Sequence, residues 1–129
     1  LGENLDQAVR LGLKPEGGFA ESPYAFTEAD LLRGKALYQS FCAICHGARG
    51  EGDGRASPLG VPKPRSYHDP AVRDQPEGYF YFAATNGFGR MLPYKSRIPE
   101  RERWLIAHYI KRCLLSEACP EEVVHAEVH

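Results

Sequence analysis

Cys42-Ala43-Ile44-Cys45-His46 is the stretch on which the fold turns. It reads C-x-x-C-H, the pattern in which two thiols add across the vinyl groups of a haem and the next histidine ligates the iron. The spacing has a stereochemical reason. On a helical turn, residues i and i+3 share a face and i+4 lies beside them, so one short segment offers both sulfurs and an imidazole to one edge of a macrocycle. Other readings are a redox dithiol, which wants a βαβ setting, and half of a zinc site, which wants a second Cys/His pair at ligand spacing. Neither setting surrounds these residues, and chance produces C-x-x-C followed by His less often than C-x-x-C alone.

Working outward, the chain has 129 residues, 43% hydrophobic and 26% charged, the size of one domain. A chain of this length buries roughly 65–70% of its unfolded surface, so it does not need its four cysteines as a scaffold. Sixteen Lys+Arg against seventeen Asp+Glu give a formal net charge of -1, which argues against nucleic acid or an anionic membrane as the main partner. No apolar run reaches the roughly 18–20 residues of a membrane span. Leu1-Gly2-Glu3-Asn4 has neither the basic nor the apolar region of a signal peptide, so an exported chain is expected here in its mature form. Ten prolines and thirteen glycines point to turns and wrapped loops.

Helices are expected on both sides of the motif. Thr27 and Asp30 form a capping pair, and Leu31, Gly34, Tyr38 and Phe41 recur at intervals of three and four, an amphipathic helix running into Cys42. Pro99, Glu100 and Glu102 open a second helix with a broad apolar face of Trp104, Ala107, Ile110 and their neighbours, ending near Lys111 and Arg112. Gly34 would let the two approach closely. Between them, Pro76 to Thr85 is strongly aromatic and closed by Asn86-Gly87. Tyr and Phe favour strands, but the flanking Pro and Asn-Gly and the lack of a hairpin partner predict a short helix lining a haem crevice.

These residues resemble class I c-type cytochromes over about residues 27–115. In that family a glycine and an aromatic before the first haem cysteine pack on an aromatic of the last helix, and Gly34, Tyr38 and Tyr109 look like that trio. Gly47 to Gly54 resembles the glycine-rich loop of bacterial members, and Asn86-Gly87-Phe88-Gly89-Arg90-Met91-Leu92-Pro93-Tyr94 resembles their methionine-ligand loop. The resemblance implies an all-α class I cytochrome c fold around one covalent haem c, attached through Cys42 and Cys45 with His46 and Met91 as axial ligands. Met91 is the sole methionine. His68, His108, His125 and His129 are its competitors, His68 in Ser66-Tyr67-His68-Asp69-Pro70 the most serious. A proline-bearing loop would accept the second N–H of His46, with Pro58 preferred over Pro62 and Pro64. Arg65, Tyr67, Arg90, Lys95, Arg97 and Trp104 could serve the haem propionates, and Pro58, Tyr67, Arg90, Pro93, Tyr94 and Trp104 make up the expected haem surroundings.

The domain is expected over 27–120, with residues 1–26 as an N-terminal extension and 121–129 as a polar tail that could fray. Asn4 would cap a short helix over Leu5, Ala8 and Val9. Phe19, Tyr24 and Phe26 are too aromatic for a flexible tail, so the extension should wrap over the domain. Covalent haem attachment belongs outside the cytoplasmic membrane, an oxidising setting in which Cys113 and Cys119 are expected to bridge; the alternative is two unpaired thiols.

The function these features imply is a mono-haem electron carrier, not an enzyme, periplasmic or on the outer face of the cytoplasmic membrane and monomeric. Tyr67 after a proline-rich loop, Thr85-Asn86-Gly87-x-Gly89, Met91-x-Pro93-Tyr94 and the Trp104 helix are similar to the mono-haem cytochromes linked to alternative complex III. That resemblance implies passage of electrons from a quinol-oxidising complex to a haem-copper terminal oxidase. The competing class is a haem enzyme or sensor with an open or labile sixth position, binding gas or reducing peroxide, with Arg90 or His68 near the iron.

Overall fold

The computed structural model describes residues 10–14, 16–56, 59–60, 63–87 and 91–128. The expected helix at Asn4 lies outside them, as do Pro58, Pro62, Arg90 and His129. The elements are α1 (Glu28–Phe41), α2 (Ala43–His46), α3 (Pro70–Arg73), α4 (Glu77–Asn86), α5 (Glu100–Tyr109) and α6 (Glu121–His125). A π-helical turn, Ile110–Leu114, continues α5. Among the described residues there is no strand, and Leu13 and Phe19 form an isolated bridge. The architecture of the described residues is all-α.

Helix α1 starts where its chemistry dictates. Asp30 N–H donates to the Thr27 hydroxyl at 3.1 Å, and Thr27 N–H donates to the Asp30 carboxylate at 2.9 Å, so two otherwise unpaired amides are satisfied reciprocally. Helix α4 runs where an alternating aromatic strand was the rival, and ends on Gly87, whose φ of 78° needs a residue without a Cβ. Helix α5 begins one residue after Pro99, which has extended backbone and sits at the cap.

Helices α1 and α5 cross at Gly34. A Cβ there would lie 3.2 Å from both Leu105 Cγ and Tyr109 Cβ, tighter than ordinary packing, so only glycine lets the backbones come this close. Beside the crossing, the rings of Tyr38 and Tyr109 lie 5.6 Å apart. Helix α4 packs on the next face of α5, with Tyr81 stacked on Trp104 at 4.1 Å. Leu31, Tyr38, Tyr81, Ile98, Trp104, Leu105, Ile106 and Val123 form the fully buried centre.

Described segments on both sides of the helical core fasten onto these helices. Before α1, Gly78 N–H donates to Ala20 O at 2.7 Å, Phe19 packs edge-on against Tyr79 and Phe82, and the Tyr24 hydroxyl donates to the Glu100 carboxylate at 2.9 Å. After α5, a disulfide joins Cys113 and Cys119. Where composition predicts a fraying polar tail, the structure has α6 with Val123 fully buried. The reason is Lys35, whose ammonium donates to Val123 O at 2.7 Å, Val124 O at 3.0 Å and Ala126 O at 2.7 Å, satisfying carbonyls that a helix end leaves unpaired.

Candidate functional site

The two cysteines and His46 are brought together by one helical turn. Cys45 N–H and His46 N–H both donate to Cys42 O, at 3.2 and 3.0 Å, which puts residues 42, 45 and 46 on adjoining positions of that turn. Neither cysteine takes part in a disulfide. Burial pushes the Cys42 thiol up to about 12, the reverse of a reactive dithiol, whose attacking thiol is held low. Among the described residues no group of His, Cys, Asp or Glu could hold a metal ion by itself, so the zinc reading finds no second half.

The glycine-rich loop has a specific task that spacing did not reveal. Gly52 N–H donates to His46 O at 2.8 Å, Gly54 N–H to Cys45 O at 3.2 Å, and Ala56 N–H to Ile44 O at 2.9 Å. Three successive carbonyls at the end of α2 are thereby capped by a chain running back over them. A Cβ on Gly54 would collide with the Ile44 carbonyl, so the loop can lie this close only with glycine there. The Tyr38 hydroxyl adds a fourth tie, donating to Gly47 O at 2.7 Å. The family trio therefore holds the attachment turn through a hydrogen bond as well as through packing.

The same loop delivers Tyr67. Tyr67 N–H donates to Gly50 O at 2.7 Å, and its buried ring stacks on the His46 imidazole, with centroids 4.7 Å apart and planes 17° from parallel. Burial draws the His46 pKa down to about 4, so the imidazole is neutral near pH 7, the form that binds metals. Its Nδ1 is buried and has no hydrogen-bond partner among the described residues. Pro64 therefore does not serve it, and Pro58 and Pro62 lie outside those residues.

Cys42, His46, Tyr67 and Met91 all line one cavity of about 250 Å³. The rest of its wall is mostly apolar, from Val72, Tyr79, Phe80, Ala83, Ala84, Ile106 and Ile110, with Pro64 and Arg65 completing it. A thioether and a neutral imidazole thus share one apolar chamber with a thiol at its edge, and the residues fit a covalently attached haem. Other expected neighbours stand further off. Trp104 is fully buried against Tyr81 and is not part of the wall, and Pro93 is exposed. Tyr94 is tied to α4 by its N–H to Ala84 O at 2.8 Å and donates its hydroxyl to Phe41 O at 3.3 Å, next to Cys42. Arg97 lies over the Phe41 and Tyr94 rings, at 5.7 and 5.2 Å.

The three rival histidines among the described residues are engaged elsewhere. His68 Nε2 sits 2.9 Å from Arg49 O, His108 Nδ1 is 3.3 Å from the Glu77 carboxylate, and His125 is exposed beside Glu121. None lines the cavity. Sequence reading also missed Arg103, a buried guanidinium between α4 and α5, because an arginine among apolar neighbours carries no motif.

Comparison with known proteins agrees with this geometry. Residues 29–110 match the family described as cytochrome C oxidase, cbb3-type, subunit III. Among curated proteins none matches. The fold is similar to that of the KustC0563 c-type cytochrome, with a TM-score of 0.52 and 20% identity over 65% of this chain and 98% of that one. It is also similar to a chain of the Kuenenia stuttgartiensis reducing HAO-like protein complex Kustc0457/Kustc0458, with a TM-score of 0.60 and 24% identity, covering 86% of this chain and 55% of that one. No helix among the described residues is long and apolar enough to cross a membrane. With the C-x-x-C-H turn, the capped glycine loop and the apolar chamber in one fold, the chain belongs to the cbb3-type subunit III family of c-type cytochrome domains and is a haem electron-transfer protein.

Proposed function

We propose that the chain is a mono-haem electron carrier, in which Cys42 and Cys45 would hold the haem covalently and His46 and Met91 would ligate its iron. The observation that carries this reading is that His46 and Met91, 45 residues apart in sequence, line the same apolar cavity as Cys42. When bound, the group supplies a one-electron couple between ferrous and ferric iron. The protein's part is to fix and shield it. Tyr67 orients the imidazole by stacking, the amides of residues 52, 54 and 56 hold the attachment turn, and α4 and α5 keep water from the chamber, which favours the less charged ferrous state. With His46 and Met91 both engaged in holding the group, the iron would have no position for a substrate.

The physiological role we infer is exchange of electrons in a bacterial respiratory chain outside the cytoplasmic membrane, from a quinol-oxidising complex of the alternative complex III kind to a haem-copper oxidase. The family description, a subunit of a cbb3-type cytochrome c oxidase, supports the oxidase as the acceptor side. The net charge of -1 fits docking led by small apolar patches, with association that depends only modestly on salt. The decisive experiment is the ferric absorption spectrum of the haem-loaded protein. A low-spin spectrum with a methionine-to-iron charge-transfer band, lost in Met91→Ala, is expected. High-spin iron that binds carbon monoxide readily on reduction would overturn the carrier reading in favour of gas binding or peroxide chemistry.

A further inference from the structure

We propose that Arg103 is the positioning residue of the redox centre: a buried, permanently charged clamp that fixes the segment bearing Met91 and holds the reduction potential up. The inference rests on the ligand reading above and concerns a residue to which that reading gives no role.

Arg103 is only 7% exposed, yet its fork is nearly fully used. Nε donates to the Thr85 hydroxyl at 3.0 Å, Nη1 to Ile98 O at 2.6 Å and Lys95 O at 3.1 Å, and Nη2 to the Tyr81 hydroxyl at 3.2 Å. These acceptors belong to α4 and to the segment that follows Met91, so one side chain on α5 joins all three. The segment is further pinned by Tyr94 N–H to Ala84 O at 2.8 Å. The placing of the Met91 thioether is thereby referred to two helices that also wall the cavity.

Every acceptor is neutral, and no carboxylate pairs with Arg103 among the described residues. Neighbouring acids on α5 are engaged elsewhere: Glu100 accepts from Tyr24, and Glu102 pairs with Arg33. An unpaired buried charge is expensive, and apolar packing would usually serve stability as well. What only a charge supplies is a field. Thr85 directly follows the cavity-lining Ala83 and Ala84, and Ile106, three residues beyond Arg103 on α5, lines the cavity too. Loss of an electron adds one positive charge to the centre, and a fixed positive charge in this low-dielectric surrounding opposes that loss.

The test is potentiometric titration of the haem-loaded protein, with the rate at which external imidazole displaces Met91 as second readout. Arg103→Gln should move the equilibrium at least tenfold toward the ferric state, about 59 mV for a one-electron couple. Arg103→Lys, which keeps the charge and loses the fork, should stay within about twofold of wild type in that equilibrium while displacement accelerates at least tenfold. Arg101→Gln, removing an exposed charge from the same helix, should shift the equilibrium less than twofold. Wild-type potential in Arg103→Gln, or an equal fall in Arg103→Lys or Arg101→Gln, overturns the proposal. Should Arg103→Gln not fold, Arg103→Lys and Thr85→Val decide: both weaken the clamp and keep the charge, so unchanged displacement or a tenfold shift in either overturns it. The ferric spectrum of the wild type separates this outcome from failure of the ligand assignment, because a fixed charge shifts the potential whatever the sixth ligand is.

Discussion

The imidazole of His46 lies flat on the ring of Tyr67, 4.7 Å between centroids, and this stack is what orients the neutral nitrogen pair in the chamber. Tyr67 is buried and also meets Phe80 edge-on at 5.4 Å, so its ring is locked from two sides. Tyr67→Ala should cost about 3–5 kcal/mol, the range for deleting a buried aromatic, and Tyr67→Phe, which keeps the ring, should cost far less. Denaturant midpoints of the two variants check this. A small loss in Tyr67→Ala would show that the stack is not part of the folded support.

The α1–α5 crossing makes a sharper prediction. Because a Cβ on Gly34 would press on Leu105 and Tyr109 at 3.2 Å, Gly34→Ala should destabilise by about 1–3 kcal/mol despite alanine's better helix propensity, and Gly34→Val by more. Thermal unfolding of the two variants measures it, and stabilisation by Gly34→Ala would contradict the close approach.

Alkaline pH should weaken the fold. Burial holds the Tyr109 phenol up to about 12, and raises Tyr38 and Tyr67 above the usual value of 10 as well. Above about pH 10 the unfolded chain loses phenolic protons that the folded chain keeps, so the unfolded state binds fewer protons and stability falls as pH rises. The contribution is fully present below pH 10 and is lost through the folded-state values, about 12 for Tyr109. Equilibrium unfolding at pH 8 and pH 11 should show the decline, with phenolate absorbance appearing alongside unfolding.

Acid acts through His46 with the opposite sign. Its folded value of about 4 lies below the ordinary 6.5, so between these the unfolded chain binds a proton that the folded chain does not. Stability of the haem-free chain therefore drops as pH falls through that window. His46→Gln should flatten this part of the pH–stability curve of the haem-free chain.

Lys35 tests the docking of the C-terminal turn. Replacing it by Met keeps the aliphatic stem and removes three charge-assisted hydrogen bonds to the carbonyls of Val123, Val124 and Ala126. We expect a loss of about 1–3 kcal/mol, and hydrogen exchange at Val123 and Val124 faster by at least tenfold than in wild type. Unchanged protection would mean that the burial of Val123 alone holds α6.

The local features were legible because they are set within a few residues. The turn at Cys42–His46, the capping pair Thr27 and Asp30, the helical period of Leu31, Gly34, Tyr38 and Phe41, and the Asn86-Gly87 stop all follow from helix geometry and backbone sterics. Together with the family resemblance they were enough for the all-α fold and its covalent haem. What the tertiary structure alone decided are contacts between groups far apart in the chain that carry no pattern. Arg103 reaches Thr85 and Tyr81 across 18 and 22 residues, Lys35 reaches α6 across 88 to 91, and Met91 and His46 come to line one cavity together with residues of α4 and α5. Such contacts depend on where buried polar groups find partners once the core has formed. A buried charge or orphan carbonyl must be satisfied by whatever the fold brings near, and spacing along the chain does not reveal what that will be.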